Sequence, residues 1–323
     1  MSLVYLNTVV CQEPHKDAIW GVAWTPDDRV LSISADGSIQ QWDSGSGQIT
    51  RAGPHHPLGL TSISTSQDGR YVVYNSIEGL TQMWDLQTGN IVGKFESYAR
   101  PLSGQLEPSW SVSLHPKATT YASCGGSGNV LVHSTDPETF GQHRTSLSTG
   151  RARFGLCCSY SPDGKRIAMG LETGQIFIFD PQAQERIVAY TSHAMSVRTL
   201  SWSPDSTLLL SGSEDKRLIL HDVRVSPSGR SGSGAVASMT GHSSWVLSTQ
   251  ISPDGKLALS GSADKTVKVW DMSTRTAVST VQDTGEVWSV CWRPNPSGTN
   301  ASGAFVTGGE DGHLRWWRAA GTA

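Results

Sequence analysis

Serine, histidine and aspartate recur together in this chain, and the same three residue types carry out nucleophilic catalysis in many hydrolases. His242, Ser260 and Asp264 form one such group, and Trp270 follows them. In a catalytic triad the histidine accepts the serine proton and the carboxylate orients the histidine. The number of copies tests this interpretation, because a catalytic site is needed only once.

Copies of this group argue for a structural role. The recurring residues are His15, Ser32, Asp36 and Trp42 in one copy, His193, Ser211 and Asp215 in a second, and His242, Ser260, Asp264 and Trp270 in a third. A device that holds a repeated unit together must occur in every unit. Satisfied buried polar networks stiffen the structure around them. We therefore interpret the groups as structural networks and predict no catalytic residue.

Other chemistries find no support in the sequence. It contains neither the GxxxxGK[ST] phosphate loop nor the HExxH zinc motif. The five cysteines lack metal-ligand spacing. They are interpreted as buried reduced thiols, which suits a cytoplasmic or nuclear protein. We expect no cofactor and no metal.

Composition limits the class of partner. The chain has 323 residues and a net charge of −3 without an acidic or basic block, which argues against direct nucleic-acid binding. No apolar run approaches the roughly 18 residues that indicate a membrane-spanning helix. Residues 1–10 lack the charged start and long apolar core of a signal peptide.

The elements around these residues are short strands and tight turns. In residues 241–271, apolar runs alternate with the turn sequence Ser252-Pro-Asp-Gly255 and a second turn at 262–265. Related units close near 43, 85, 134, 180, 222, 271 and 318. The unit begins Gly-His and ends Trp-Asp, so it resembles the WD repeat, which has a period of about 40–45 residues.

Seven such units predict an all-β fold, a seven-bladed WD-repeat β-propeller formed by one domain over residues 1–323. Too few residues follow Arg318 to make the last outer strand. We therefore expect residues 3–10 to pair beside 313–317 and close the ring. The Ser/Gly-rich insertion at 224–234 is expected to be a mobile loop.

The WD resemblance also implies roles for the recurring residues. The aspartate is expected in the turn between the second and third strands, where it orients the histidine, which bridges to serine and tryptophan. The third and fourth units have Ser127 and Thr173 at the turn, and Asp283 replaces the histidine of the seventh. Those units are expected to rely more on packing.

Counting back from each first turn places a second set of residues at one rim of the central channel. The predicted partner-binding face comprises Trp20, Trp110, Phe154, Arg198, Trp245 and Trp288, with Glu286 and Asp17 as nearby carboxylates. Tryptophan and arginine often anchor protein interfaces. The face would suit a short peptide or an arginine held by cation–π contact. The alternative is that these tryptophans pack between blades, as expected for Trp42, Trp84 and Trp270.

Some stretches resemble one family more specifically. DAIWGVAW, SHAMSVRTLSWSPDS, GHSSWVLSTQISPDG and DKTVKVWDMSTRTAVSTV are similar to the WD-repeat subunit of the superkiller complex. Animal counterparts of that family also join the polymerase-associated factor complex. The resemblance covers roughly residues 3–318 and is loose in the second and third units.

This resemblance implies a non-catalytic scaffold in the cytoplasm and nucleus. Its expected partners are a helical-repeat protein and a helicase that feed RNA to the exosome for 3′-to-5′ decay. A meiotic break-forming protein and a transcription-elongation complex are further partners that it implies. The alternative is another WD-repeat adaptor, such as a transcription-elongation complex subunit, a G-protein β-like subunit or a substrate receptor of a ubiquitin ligase. A propeller enzyme is disfavoured.

Overall fold

A computed structural model describes residues 3–97, 109–150, 152–224, 234–294 and 303–320. Within these ranges the backbone forms seven antiparallel four-stranded sheets arranged as blades around a channel. The predicted all-β, seven-bladed β-propeller is therefore confirmed. Among the described residues, no helix has the length and apolar character needed to cross a membrane.

The strands are numbered in chain order, and each blade runs from the channel outwards. Blade 1 contains β2 (Ile19–Trp24), β3 (Arg29–Ser34), β4 (Ile39–Asp43) and β5 (Ile49–Ala52). Blade 2 contains β6 (Leu60–Thr65), β7 (Tyr71–Ser76), β8 (Leu80–Asp85) and β9 (Asn90–Glu96). Blade 3 contains β10 (Ser109–Leu114), β11 (Thr120–Gly125), β12 (Asn129–Ser134) and β13 (His143–Ser148). Blades 4 and 5 contain β14 (Gly155–Tyr160), β15 (Ile167–Leu171), β16 (Ile176–Asp180), β17 (Glu185–Tyr190); and β18 (Val197–Trp202), β19 (Leu208–Ser213), β20 (Arg217–Asp222), β21 (Ala235–Thr240). Blades 6 and 7 contain β22 (Val246–Ile251), β23 (Leu257–Ser262), β24 (Thr266–Asp271), β25 (Thr276–Gln282); and β26 (Val287–Trp292), β27 (Ala304–Gly309), β28 (Arg315–Ala319), β1 (Tyr5–Val10).

Turn chemistry fixes where the inner strands end. After β22, the Ser252 hydroxyl donates to Asp254 Oδ1 at 2.6 Å, and its oxygen accepts the Leu257 N–H at 2.9 Å. Gly255 adopts a left-handed φ of 72°, which glycine reaches without a Cβ penalty. The Ser-Pro-Asp-Gly sequence thus reverses the chain into β23 and sets its register.

The core lies between blades rather than within one of them. Residues 258–262 of β23 are buried on both faces, because each middle strand packs against the neighbouring blades. The cluster around Leu31 and Ile33 of blade 1, for example, continues through Val72 and Trp84 of blade 2. A blade alone would expose half of this surface, so the ring is the folding unit.

The chain ends meet in blade 7, as the sequence predicted. Strand β1 pairs antiparallel with β28, with Tyr5 opposite Ala319 and Val10 opposite Arg315. The pairing partner lies two residues later than the predicted 313–317. The Leu3 N–H also donates to the Val278 oxygen of blade 6 at 3.0 Å, which ties the N-terminal segment to a second blade. The predicted insertion at 224–234 lies almost wholly outside the described residues.

Candidate protein-interaction site

The recurring polar residues form a directed network in blade 6. The His242 Nδ1–H donates to Asp264 Oδ2 at 2.8 Å, so Nε2 is left to accept the Ser260 hydroxyl at 2.6 Å. The Trp270 Nε1–H donates to the same hydroxyl oxygen at 2.8 Å. The serine oxygen therefore joins histidine to tryptophan. The histidine, predicted to bridge to serine and tryptophan, hydrogen-bonds to the serine and meets the tryptophan in a ring contact with centroids 6.2 Å apart.

Burial and hydrogen bonding together set the charge state of this network. Burial lowers the pKa of His242, which favours the neutral ring. It would raise the pKa of Asp264, but hydrogen bonds from Thr266, the Ser243 N–H and His242 outweigh it and hold that pKa at about 2. Ser260 is fully buried, so its hydroxyl cannot reach a substrate carbonyl. The geometry therefore suits a residue that stabilises the blade and does not suit a nucleophile.

Blade 1 has the same network with one extra hydroxyl between the histidine and the aspartate. The His15 ring contacts Ser38 Oγ at 2.7 Å, and that hydroxyl donates to Asp36 Oδ1 at 2.5 Å. On the other side, His15 Nε2 lies 2.6 Å from Ser32 Oγ, which also accepts the Trp42 Nε1–H at 2.7 Å. The Asp36 carboxylate thus orients this histidine largely through Ser38.

In blade 5 the tryptophan is replaced by His221. His193 contacts Asp215 at 2.9 Å and Ser211 at 2.7 Å, as in blade 6. The His221 ring stacks on Tyr190 with centroids 4.4 Å apart. His221 is completely buried, so it substitutes for a packing residue and does not present a ligand to solvent.

Blade 7 has its own polar network, so the prediction that it relies on packing is wrong. The Trp317 Nε1–H donates to Thr307 Oγ1 at 3.1 Å, and that hydroxyl donates to Asp283 Oδ2 at 3.1 Å. Arg315 pairs with Asp283 at 2.9 Å and with Asp311 at 2.5 Å, so it links the two carboxylates. The threonine and the aspartate replace the serine and the histidine of the other blades.

Blades 3 and 4 rely on packing. In blade 3, His133 occupies the tryptophan position and stacks on Tyr121 at 4.9 Å, and Tyr121 stacks on Phe140 at 5.4 Å. In blade 4 the serine and tryptophan positions hold Met169 and Phe179, which belong to one apolar cluster. Blade 4 therefore has no part of the polar relay, and blade 3 keeps only a contact of 3.4 Å between Ser123 Oγ and His133 Nε2.

One end of the channel, which we call the aromatic mouth, collects most of the second set of residues. Its cavity has a volume of about 380 Å³. The predicted residues that line it are Trp20, Trp110, Arg198, Trp245, Glu286 and Trp288. Phe154 joins them through a ring contact with Trp110 at 5.9 Å. Leu247, Leu156 and Thr61 complete the wall at the equivalent strand positions.

The aromatic rings form a continuous row. Trp20 contacts Trp288 with centroids 5.5 Å apart and Trp110 with centroids 5.6 Å apart. Trp245 stands apart from this row and is 43% exposed, whereas Trp42 and Trp270 are buried between blades. The mouth therefore presents accessible indole surface, most of all at Trp245.

Carboxylates surround the aromatic surface. Arg198 Nε donates to Glu214 Oε1 at 2.7 Å, and its guanidinium carbon lies 5.9 Å from the centre of the Trp245 ring. Glu286 Oε2 accepts the Trp288 Nε1–H at 3.0 Å, with no cation within 4 Å in the described part of the chain. The site therefore combines indole faces with unneutralised negative charge.

Asp17 does not belong to this cavity. Its Oδ1 accepts the Ala18 N–H at 2.7 Å, and the side chain is absent from the wall. The sequence predicts it only as a carboxylate near the counted positions Ala18 and Trp20. The structure shows further exposed apolar residues in the loops of the same face, which the counting missed: Leu58, Ile77 and Met195.

The opposite end of the channel, the hydroxyl mouth, differs in chemistry. Its cavity of about 490 Å³ is lined by serine, threonine and glutamine side chains together with apolar ones, and by no charged residue. Within the described ranges, no group of three or more histidine, cysteine or acidic residues is arranged to hold a metal ion. The aromatic mouth is therefore the surface best suited to a protein ligand.

Comparison with known proteins adds the family context. Residues 7–43, 184–222, 234–271 and 275–318 match the family described as WD domain, G-beta repeat. The chain is 31% identical over 326 residues to the meiotic recombination protein rec14 of Schizosaccharomyces pombe, which covers 100% of both chains. It is 30% identical over 228 residues to the WD repeat-containing protein VIP3 of Arabidopsis thaliana, covering 66% of this chain and 68% of that protein. It is 25% identical over 228 residues to the WD repeat-containing protein SL1-17 of Schistosoma mansoni, covering 68% and 72%.

Proposed function

Because this chain belongs to the WD-repeat family, we propose that it is a non-catalytic scaffold that binds a segment of a partner protein at the aromatic mouth. The observation that supports this proposal is that exposed and half-buried tryptophans converge around one cavity. Indole surface of this kind gives large contact area at low entropy cost.

The charges around the cavity favour a cationic side chain in that segment. A guanidinium placed against Trp288 or Trp20 would gain cation–π attraction. The Glu286 carboxylate, beside Trp288, would supply a charge-assisted hydrogen bond. Arg198 is already paired with Glu214, so it does not neutralise the whole rim. An arginine within an extended peptide satisfies both the aromatic and the acidic parts of the mouth.

The family resemblance supports a finer assignment. The quoted stretches are similar to the WD-repeat subunit of the superkiller complex, whose partners are a helical-repeat protein and a helicase acting in exosome-mediated mRNA decay. We place this chain in such a complex, in the cytoplasm and nucleus. The likeness to rec14 over the full length supports an additional role in meiotic recombination.

Affinity purification of the intact chain from its own cells tests the assignment. We expect to recover a helical-repeat protein together with a helicase from vegetative cells, and a break-forming protein from meiotic cells. Recovery of a transcription-elongation complex, a G-protein or a ubiquitin ligase in their place would reject the superkiller assignment and select one of the other adaptor classes.

Substitution of Trp245 tests the binding face. We expect Trp245→Ala to weaken capture of the recovered partner about tenfold or more, because a central aromatic anchor contributes about 2 kcal/mol or more to binding. Its melting temperature should stay close to that of the wild type, because the side chain is 43% exposed.

Ile187→Ala provides the matched control. Ile187 is 45% exposed but lies on the outer strand β17, away from the aromatic mouth. This variant should bind the partner normally. Equal capture by the Trp245→Ala and Ile187→Ala variants would place the binding surface elsewhere, and unfolding of Trp245→Ala would show that the indole is part of the core.

A further inference from the structure

Neighbouring blades are joined along the channel by hydrogen bonds that no blade motif requires. In four seams, side chains of one inner strand accept two backbone N–H groups of the next. With the N–H donor first and the accepting side chain second, the bonds are Val112 to Ser62 and Leu114 to Ser64 between blades 2 and 3, and Cys158 to Ser111 and Tyr160 to Ser113 between blades 3 and 4. They are Thr249 to Thr199 and Ile251 to Ser201 between blades 5 and 6, and Val290 to Ser248 and Trp292 to Gln250 between blades 6 and 7. We call these bonds clasps. Each satisfies an N–H on the free edge of an inner strand, which has no further strand beside it.

In two other seams the polar bonds are fewer or of a different kind. Between blades 7 and 1, the Val22 N–H donates to Ser289 Oγ at 3.0 Å. Between blades 4 and 5, the Trp202 Nε1–H donates to the Ser159 carbonyl at 3.1 Å. The Asp163 N–H also donates to Ser206 Oγ at 3.1 Å across that seam. Both seams therefore keep a polar connection near the channel.

The seam between blades 1 and 2 has no clasp. Gly21 and Ala23 of β2 occupy the positions that hold Ser62 and Ser64 in the next blade. In the described structure, no side chain of β2 accepts an N–H from β6. A Cβ at Gly21 would lie 2.7 Å from Ile63 Cγ2, so apolar packing has taken the place of a hydroxyl there.

An aromatic contact spans this seam at the channel end. The Trp20 ring of blade 1 reaches past Thr61 of blade 2 and meets Trp110 of blade 3, with centroids 5.6 Å apart. The intervening blade contributes only a threonine at the equivalent position. Trp20 and Trp110 thus connect blades 1 and 3 above the one seam whose inner strands, in the described structure, share no hydrogen bond that involves a side chain.

We propose that the seam between blades 1 and 2 is where the propeller opens locally, and that the Trp20–Trp110 contact is the latch that holds it closed. Local opening follows the regions with the fewest stabilising interactions. Removing the latch leaves apolar packing between β2 and β6, the His56 N–H donated to the Gly37 carbonyl at 2.8 Å in the loop before β6, and a bond at the outer rim, where Arg51 Nη1 donates to the Leu86 carbonyl at 2.9 Å.

The latch couples the seam to the binding face. Both rings line the aromatic mouth, so a ligand that packs against both of them binds better to the closed seam than to the open one. By linkage, such a ligand must shift the seam towards closure. This coupling rests on the proposed function, whereas the weak seam and its latch are properties of the free protein.

Native-state hydrogen exchange of the free protein, followed by NMR, tests the proposal. The Thr65 amide of β6 should exchange at least tenfold faster than that of Leu114, its equivalent in β10, which has a clasp from Ser64. Trp20→Ala should speed exchange across β6 at least tenfold further, with little change in β18. Trp245→Ala, which also removes a tryptophan from the mouth but not from the latch, should leave β6 unchanged.

A gain-of-clasp variant makes the test independent of any loss of fold. Ala23 is half-buried beside the cavity of the hydroxyl mouth, so Ala23→Ser has room to accept the Thr65 N–H as Ser64 accepts that of Leu114. It should slow Thr65 exchange about tenfold, in the wild type and in Trp20→Ala alike. Equal exchange at Thr65 and Leu114, or the same effect from Trp20→Ala and Trp245→Ala, would overturn the proposal. Either result leaves partner capture at the mouth unaffected, so failure here is distinguishable from failure of the proposed function.

Discussion

A single serine oxygen explains why the blade motif needs four residue types. In blade 6 the Ser260 hydroxyl donates to His242 and accepts from Trp270, so it serves as donor and acceptor at once. Alanine at this position would leave two buried polar groups without partners, which costs more than the loss of an average hydrogen bond. Threonine performs the same task at position 307, because its hydroxyl can also donate and accept.

Ser260→Ala should lower the free energy of unfolding by about 2 kcal/mol, since His242 and Trp270 both lose a buried partner. Chemical denaturation monitored by tryptophan fluorescence measures this change. Ser243→Ala is the matched control, because Ser243 is exposed in the same blade and should change stability by less than about 0.5 kcal/mol. Equal stability of the two variants would show that the relay does not hold the blade.

His133 should make the protein sensitive to mild acid. Burial, assisted by the nearby His143, lowers its pKa from 6.5 to about 4, although the Gly141 carbonyl opposes this shift. Between these two values the unfolded chain binds a proton that the folded chain does not. The contribution of His133 to stability is thus complete above pH 6.5 and falls by about 3 kcal/mol as the pH approaches 4.

Denaturation of wild type and His133→Phe at a series of pH values checks this prediction. Phenylalanine preserves the stacking on Tyr121 but cannot bind a proton, so the acid-induced loss should be smaller in the variant. The pKa values of His15 and His242 are also lowered by burial, so a part of the loss remains. Identical pH profiles would contradict the assignment to His133.

At the scale of elements, strand β1 is the part of the fold on which closure of the ring depends. Tyr5 is buried and contacts Phe305 and Trp292, with centroids 5.1 and 6.4 Å apart. The strand also supplies the only partner for the outer edge of β28 among the described strands. The burial of Tyr5 and the pairing with β28 both join residues that are far apart in sequence, so they restrain the ends of the chain.

Deletion of residues 1–10 should lower the melting temperature by about 10 °C or more, because the ladder to β28 and the burial of Tyr5 are lost together. Differential scanning calorimetry gives the change. Deletion of residues 1–2 alone serves as the control and should have little effect. An unchanged melting curve for the longer deletion would mean that the ring holds without this strand.

The repeated sequence features predicted the strands and turns well. They predicted the contacts between those strands and turns poorly. The turn at 252–255 and its equivalents located the inner strands, and the short tail after Arg318 predicted closure by the N-terminal strand. The pairing of Asp283 with Arg315 depends on two residues that no repeat rule relates. The missing clasp at Gly21 likewise becomes visible only when β6 lies beside it.

The same limit applies to the candidate site. Counting along each repeat brought Trp20, Trp110 and Trp288 to one mouth, because equivalent positions in a ring share a rim. It could not show that Trp20 reaches across blade 2, since that contact depends on the small Thr61 between the two rings. Asp17, expected only as a nearby carboxylate, instead accepts the N–H of the adjacent Ala18 and is absent from the cavity wall.

In the molecule as a whole, the two ends of the channel differ in the charge of the residues around them. The hydroxyl mouth has no charged lining, whereas the aromatic mouth has Glu286 in its wall and Glu172 and Glu310 in adjoining turns. Glu172 and Glu310 accept backbone N–H groups from Phe154 and Glu286 at 3.2 Å, and neither has a cation within 4 Å in the described ranges. A chain with a net charge of only −3 therefore concentrates uncompensated acid beside its aromatic surface.

This asymmetry predicts a salt-sensitive interaction. The affinity for the partner recovered by purification should fall as salt rises from about 0.05 to 0.5 M, because screening weakens attraction between a cationic segment and the exposed carboxylates. Glu286→Gln should weaken binding several-fold at low salt and reduce the salt dependence, since a rim charge contributes about 1 kcal/mol. Glu185→Gln, which removes an exposed charge from the outer strand β17, should behave as the wild type does. Isothermal titration calorimetry measures the three affinities, and binding that strengthens with salt would mean that the partner contacts the mouth through apolar residues alone.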